Sequence, residues 1–206
     1  MKVKTNLLPA TAPDTIRRAL EVLRAGGLVA FPTDTVYGIG ALAFDGKAVL
    51  SIYAAKNRPM EKAIPILLGD SKDLEKVAMS IPSTARRLAS RFWPGPLTIL
   101  VPKKPALPEA VSATSTIGVR VPDHEVARAL LRTAGPMAVT SANLSGQASP
   151  TTADEVFAQL NSRVGLIIDG GSTPGGIPST VVDCSDEEIR IIRAGPITEE
   201  QLLSAF

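Results

Sequence analysis

In the stretch "TAPDTIRRALEVLRAGG" the apolar positions Ile16, Ala19, Leu20 and Leu23 recur at helical spacing and share one face. Thr11 or Asp14 is placed to cap that helix, and Gly26 and Gly27 to stop it. The period then changes. "LVAF" is a continuous apolar run, the mark of a buried strand, and it ends in the polar, glycine-containing corner "FPTDTVYGIG". Residues 46–57, "GKAVLSIYAAKN", predict a helix ended by Pro59. Beyond it the pattern predicts strand "AIPILLG", helices near 71–79 and 83–92, and strands "LTILVP" and "IGVRVP". A helix over 123–134 and strand "MAVTS" follow. Thr152 with Glu155 has the capping-box spacing that opens a helix, and strand "GLIID" comes after it. Strands "STVVDC" and "EIRIIRAG" and a short helix opened by Thr198 and Gln201 close the chain.

Helices and strands alternating from end to end predict an α/β fold, with helices packed on a largely buried mixed sheet. No repeat, low-complexity tract or linker divides the 206 residues, so one domain is expected. With 45% hydrophobic residues and a mean hydropathy of +0.17 the chain can bury a sizeable core. Neither a signal-peptide pattern nor a membrane-length apolar run is present, and one cysteine permits no internal disulfide. A cytoplasmic protein without membrane contact is therefore expected. A net charge of +2 argues against a role dominated by non-specific nucleic-acid binding, while leaving room for a local positive cleft.

Familiar catalytic layouts fail first. A histidine-based nucleophile would need His124, the chain's one histidine, which reads as a surface residue at a helix cap. Cys184 reads as a small buried hydrophobe. One histidine and one cysteine argue against zinc. "DGGSTPGGIPST" (169–180) lacks the Gly-Lys-Ser/Thr ending of a phosphate loop and reads as a turn between strands. Three segments instead place polar groups at strand ends, where α/β sheets bind ligands. They carry Thr33, Asp34, Thr35 and Tyr37; Thr140, Ser141, Asn143 and Ser145; and Ser179 and Thr180. Lys56, Arg58 and Lys62 cluster at a helix exit. Arg120, set between valines, should pair with an anion or project into a cleft, and Arg193 interrupts another strand end. Converging cations and hydroxyls suit a polyphosphate plus a carboxylate, bound by an enzyme that works through positioning and charge neutralisation.

"GGLVAFPTDTVYGIGA", "KNRP", "FWPGPLTIL", "GVRVP", "TSANLSG", "SPT" and "PSTVVD…IIRAG" resemble, in order and spacing, the YrdC/Sua5 family of L-threonylcarbamoyladenylate synthases. The resemblance runs from about residue 13 to 195. It implies a twisted sheet with an open, positively charged cavity, and a short form lacking the C-terminal domain of longer members. It implies a nucleotidyltransferase that converts L-threonine, bicarbonate and ATP to threonylcarbamoyl-AMP and pyrophosphate. A partner threonylcarbamoyl-transferase complex would then modify an adenosine of tRNA (the t6A modification). Magnesium is expected with ATP, and no organic cofactor. By family position Thr35, Arg120 and Ser179 would hold threonine. Lys56, Arg58, Lys62, Thr116, Ser141, Asn143, Ser149 and Arg193 would hold ATP. Leu67 stands where some members carry a threonine-contacting histidine. The rival readings are a double-stranded RNA or tRNA-binding module using the same basic cavity, and a carbamoyl-transfer domain like that of hydrogenase-maturation proteins. The latter lacks support in cysteines and length.

Overall fold

A computed structural model of the chain describes residues 3–174 and 177–206. Strand β1 (Asn6–Pro9) leads into helix α1 (Thr15–Arg24), followed by β2 (Val29–Phe31) and β3 (Gly38–Leu42). Helix α2 (Gly46–Lys56), strand β4 (Ile66–Leu67) and helices α3 (Leu74–Val77) and α4 (Ser83–Phe92) come next. Strands β5 (Leu97–Pro102) and β6 (Thr116–Arg120), helix α5 (Glu125–Ala134) and β7 (Met137–Ser141) form the middle. Then come α6 (Ala153–Leu160), β8 (Leu166–Asp169), β9 (Thr180–Asp183), β10 (Arg190–Arg193) and α7 (Glu199–Leu203). Among the described residues no helix is long and apolar enough to cross a membrane.

The helix ends follow local chemistry, with corrections. Asp14 occupies the α1 N-cap without a capping bond and pairs with Arg17 instead. Asp45 caps α2, its Oδ1 accepting from the Lys47 and Ala48 N–H groups at 3.1 and 3.0 Å. That helix stops two residues before Pro59, where Asn57 turns left-handed at φ 51°. At α6 the predicted box is half formed: Thr152 accepts from Glu155 N–H, but the Glu155 carboxylate takes the N–H of Thr151. At α7 both halves of the box are present.

The ten strands among the described residues join one mixed sheet in the order β1-β8-β2-β3-β7-β4-β6-β5-β9-β10. The β2–β3, β3–β7, β7–β4, β6–β5 and β9–β10 pairs are antiparallel, and β1–β8, β2–β8, β4–β6 and β5–β9 are parallel. Two strands were not legible in the pattern. Strand β1 is four residues ending in proline at a sheet edge. Strand β3, "GIGAL", lies inside the predicted polar corner. Its glycines serve close packing: a Cβ on Gly38 or Gly40 would meet the methyls of Val139 on β7 at 2.8 Å. The residues Pro32–Tyr37 are accordingly a link between two paired strands, with Thr33, Thr35 and Tyr37 buried.

Alternation along the strands separates two cores. Ala30, Ile39, Ile66, Ile99, Val119, Ala138, Ile167 and Val182 face α2, α4 and α6 in the larger one. Val29, Phe31, Met137, Val139, Leu166 and Ile168 face the other way, beneath Ala19 and Leu23 of α1 and Ala127, Leu130 and Leu131 of α5. The second face is therefore roofed by helices over β8, β2 and β7. Its other half, at β6, β5 and β9, contributes nothing to that smaller core.

Candidate functional site

The unroofed half of this face floors a cavity of about 410 Å³. Since Ile117 and Val119 of β6 point into the large core, Thr116, Gly118 and Arg120 point into the cavity. Thr98 and Leu100 of β5, Leu67 of β4 and Val181 of β9 share that direction. The rim adds Arg58 after α2, Ser141 and Ser149, and Ser179 with Arg193. Three guanidiniums and many hydroxyls thus line the space, and no carboxylate does among its described lining residues. Nor do the described residues place three His, Cys, Asp or Glu side chains where they could hold a metal ion.

Arg120 organises the inner end. Its Nε donates to the Gly95 carbonyl at 2.9 Å, its Nη1 to Thr35 Oγ1 at 3.3 Å and its Nη2 to Asp34 Oδ1. The ion pair is buried, with side chains 7% and 12% exposed. A strand-borne arginine between valines was expected to find an anion or a cleft, and this one finds both. Strand β6 stands three places from β3, about 14 Å in a flat sheet. The β2–β3 link closes that gap over the cavity's end. Thr33 fixes the link, accepting from the N–H groups of Thr35 and Val36 and donating to Val36 O at 2.7 Å.

The opposite wall joins Ser179 and Thr116 to three hydroxyls that the sequence reading passed over, those of Thr98, Ser112 and Thr114. Thr98 and Ser179 share a hydrogen bond of 2.8 Å. Arg193 donates to the Ser179 carbonyl at 2.7 Å and to its hydroxyl at 3.2 Å. Burial, and then the neighbouring charge of Arg120, lower the Arg193 pKa, so the two cations feel each other across the cavity. Ser112, Thr114 and Thr116 form a hydroxyl chain with contacts of 2.9 and 3.3 Å. Period-two alternation places Thr98 beside Leu100 on one face, a signal that could have found it. Ser112 and Thr114 sit on an irregular loop that carries no such signal.

Of the residues assigned by family position, Thr35, Arg58, Thr116, Arg120, Ser141, Ser149, Ser179 and Arg193 line the one cavity. Leu67, left out of those assignments, lines it too. Lys56, Lys62 and Asn143 do not line it. Lys56 is 1% exposed, and its ammonium donates to the carbonyls of Ser141 and Asn143 at 2.5 Å each. Burial, then the Arg58 charge, lower its pKa to about 7. It is a post under the 141–143 loop. Asn143 braces the same loop, donating to the carbonyls of Leu144 and Gln147 and accepting from Ser141 Oγ. Lys62 is exposed and offers its carbonyl to Arg58 Nε at 3.0 Å.

Three further readings are settled by position. Cys184 is fully buried, and burial pushes its thiol up to about 12, so it packs as a hydrophobe. His124 stands at the helix N-cap as expected, but it is only partly exposed and its Nδ1 is wholly buried. The 169–180 stretch is no turn between neighbours, because six strands stand between β8 and β9. Within it Gly175 and Gly176 lie outside the described residues. Tyr37 anchors its start, the phenol donating to Gly171 O at 2.7 Å and accepting from Gly170 N–H.

The profile of the Sua5/YciO/YrdC family, described as "Telomere recombination", matches residues 21–195. The threonylcarbamoyl-AMP synthase of Bacillus subtilis (strain 168) is 44% identical over 196 residues, 94% of this chain and 57% of that protein. The structure of Pyrococcus abyssi Sua5 complexed with L-threonine is 39% identical with a TM-score of 0.92, covering 98% of this chain and 60% of that one. The structure of E. coli YciO is 29% identical with a TM-score of 0.83, covering 94% and 96%. The chain thus spans somewhat over half the length of the first two. With the profile matched across most of its length, the chain belongs to the Sua5/YciO/YrdC family.

Proposed function

We propose that the cavity makes threonylcarbamoyl-AMP from L-threonine, bicarbonate and ATP. The threonine amine and bicarbonate give an N-carboxylate with loss of water. That carboxylate oxygen attacks the α-phosphorus of ATP, and pyrophosphate leaves with the β-phosphate oxygen. The substrate supplies the nucleophile, so the protein's task is to hold anions together and stabilise developing charge. The observation that carries this reading is the single cavity in which three arginines converge with hydroxyls. It is supported by the L-threonine complex of the P. abyssi relative and the name of the B. subtilis one.

On this reading Arg120, Thr35 and Ser179 hold threonine, its carboxylate on the guanidinium N–H groups that protein bonds leave free. Arg58 and Arg193, with Thr116, Ser141 and Ser149, hold the nucleotide. Lys56 and Asn143 act through the loop that carries Ser141. Asp34, the carboxylate at the inner end, is already held by Arg120. Magnesium is therefore assigned to the triphosphate it would arrive with, and no step here runs through it. The product is a mixed anhydride, an activated acyl donor suited to a separate transferase acting on tRNA. Pyrophosphate release should require both L-threonine and bicarbonate. Equal release without threonine, or none with all three substrates, would overturn the proposal.

A further inference from the structure

Among the described residues, two buried side-chain polar atoms have no hydrogen-bond partner: Asp34 Oδ2 and His124 Nδ1. Buried unsatisfied groups are uncommon and cluster where a structure must change or bind. Arg120 is the residue that relates them, one by a hydrogen bond and the other along the chain. Asp34 gives its other oxygen to Arg120, and His124 follows Arg120 by four positions, at the start of α5. The histidine occupies the N-cap with extended backbone (φ −143°, ψ 125°), yet its side chain caps nothing in the helix. Its Nδ1 is left for another partner.

The charges facing the ring come from two places. Asp34, from the β2–β3 link, acts on it more strongly than its own neighbours Asp123 and Glu125. All three favour the protonated ring, but burial outweighs them and lowers the pKa, so the neutral imidazole prevails at neutral pH. A neutral imidazole carries one N–H, and which nitrogen bears it follows from the partner offered. Arg120 has five N–H groups, of which three are bonded to Gly95, Thr35 and Asp34. The remaining two have no partner among the described residues, and Arg120 lines the cavity in which an anion would meet them. An anion there competes with Asp34 for the guanidinium and repels its carboxylate. Asp34 then needs a second donor.

We propose that His124 is a positioning residue for substrate binding: when the carboxylate of threonine engages Arg120, Nδ1–H of His124 donates to Asp34 Oδ2. Asp34 is thereby held from both sides, and Arg120 keeps its aim while sharing its donors. Contacts of this kind commonly tighten only in the ligand complex. The inference rests on the reading of this cavity as a threonine site.

Because the chain has a single histidine, ring ¹⁵N spectra report on His124 alone. Adding L-threonine and ATP to the wild-type protein should shift the ring toward the Nδ1–H tautomer. Binding seen by calorimetry with no change in tautomer overturns the inference and leaves the functional reading standing. Absence of any threonine binding overturns both. In steady-state assays His124→Ala should raise the threonine KM about tenfold, the loss of one charge-assisted hydrogen bond. Its kcat and ATP KM should change little. His124→Asn, whose amide N–H can stand where Nδ1–H did, should restore most of the threonine KM. A merely structural role would lower the melting temperature of both variants and leave the threonine KM alone, which would also overturn the inference.

Discussion

Lys56 shows how a residue can support a cavity without lining it. Its ammonium meets three oxygens of the 141–143 loop, the third being Asn143 Oδ1 at 3.4 Å. The sequence offered only a cation close to another cation, and proximity along the chain says nothing of which way a long side chain runs. Burial lowers this lysine to about 7, against 10.5 for the free side chain. Between those values the unfolded chain binds a proton that the folded one has released, so stability rises with pH. The stability of the wild type relative to Lys56→Met should therefore climb from pH 7 to 10, with a slope of up to about 1.4 kcal/mol per unit. Urea unfolding at several pH values measures it, and a flat difference would remove the buried-lysine account. The variant should also bind ATP more weakly, since the loop bearing Ser141 loses its post.

Strand β6 is where element-scale reading worked best. In "TIGVR" the alternation alone assigns Ile117 and Val119 to one face and Thr116, Gly118 and Arg120 to the other. The glycine between the two polar residues keeps the cavity floor low. A Cβ at Gly118 would meet Thr98 Cγ2 at 3.0 Å and Pro65 Cβ at 3.5 Å. Gly118→Val should raise the KM of at least one substrate about tenfold, while overpacking costs about 1–3 kcal/mol of stability. Kinetics paired with thermal unfolding separates the effects, and unchanged KM values would place the substrates elsewhere. Strand β3 teaches the reverse. "GIGAL" reads as a loosened corner because glycine is rare in strands, and the close approach of β7, with Val139 against Gly38 and Val139, Ala138 O and Met137 against Gly40, explains why glycine is there.

At the scale of the whole molecule, the cavity is a consequence of incomplete roofing. Helices α1 and α5 cover one half of a sheet face, and the other half keeps its polar and cationic side chains open. The walls come from segments as far apart in the chain as Thr35 and Arg193, so ligands that bridge them stabilise the fold as a unit. At a hundred times its dissociation constant, a ligand bound only by the folded state adds about 2.7 kcal/mol. Threonine with ATP should raise the melting temperature more than either alone. Equal effects of leucine and threonine would count against a hydroxyl-lined amino-acid site.

Except for β1 and β3, element types and the sheet face on which strand residues fall were legible in the sequence, because both follow from periods of a few residues. That was enough to mark Arg120 and the polar strand ends that carry Thr35 and Ser179, and the family resemblance chose those two from among their neighbours. Strand order was not legible: nothing local places β4 between β7 and β6, or sends the chain from β8 across to β9. Nor could the pattern show that the β2–β3 link folds over to meet Arg120, or that Asp34 and His124 each bury an unpartnered atom. Such contacts join residues 85 and 86 positions apart, and their energy depends on packing and burial that no local period records. Which side chains can face a cavity was written in the alternation, and only the tertiary fold decided which of them share one.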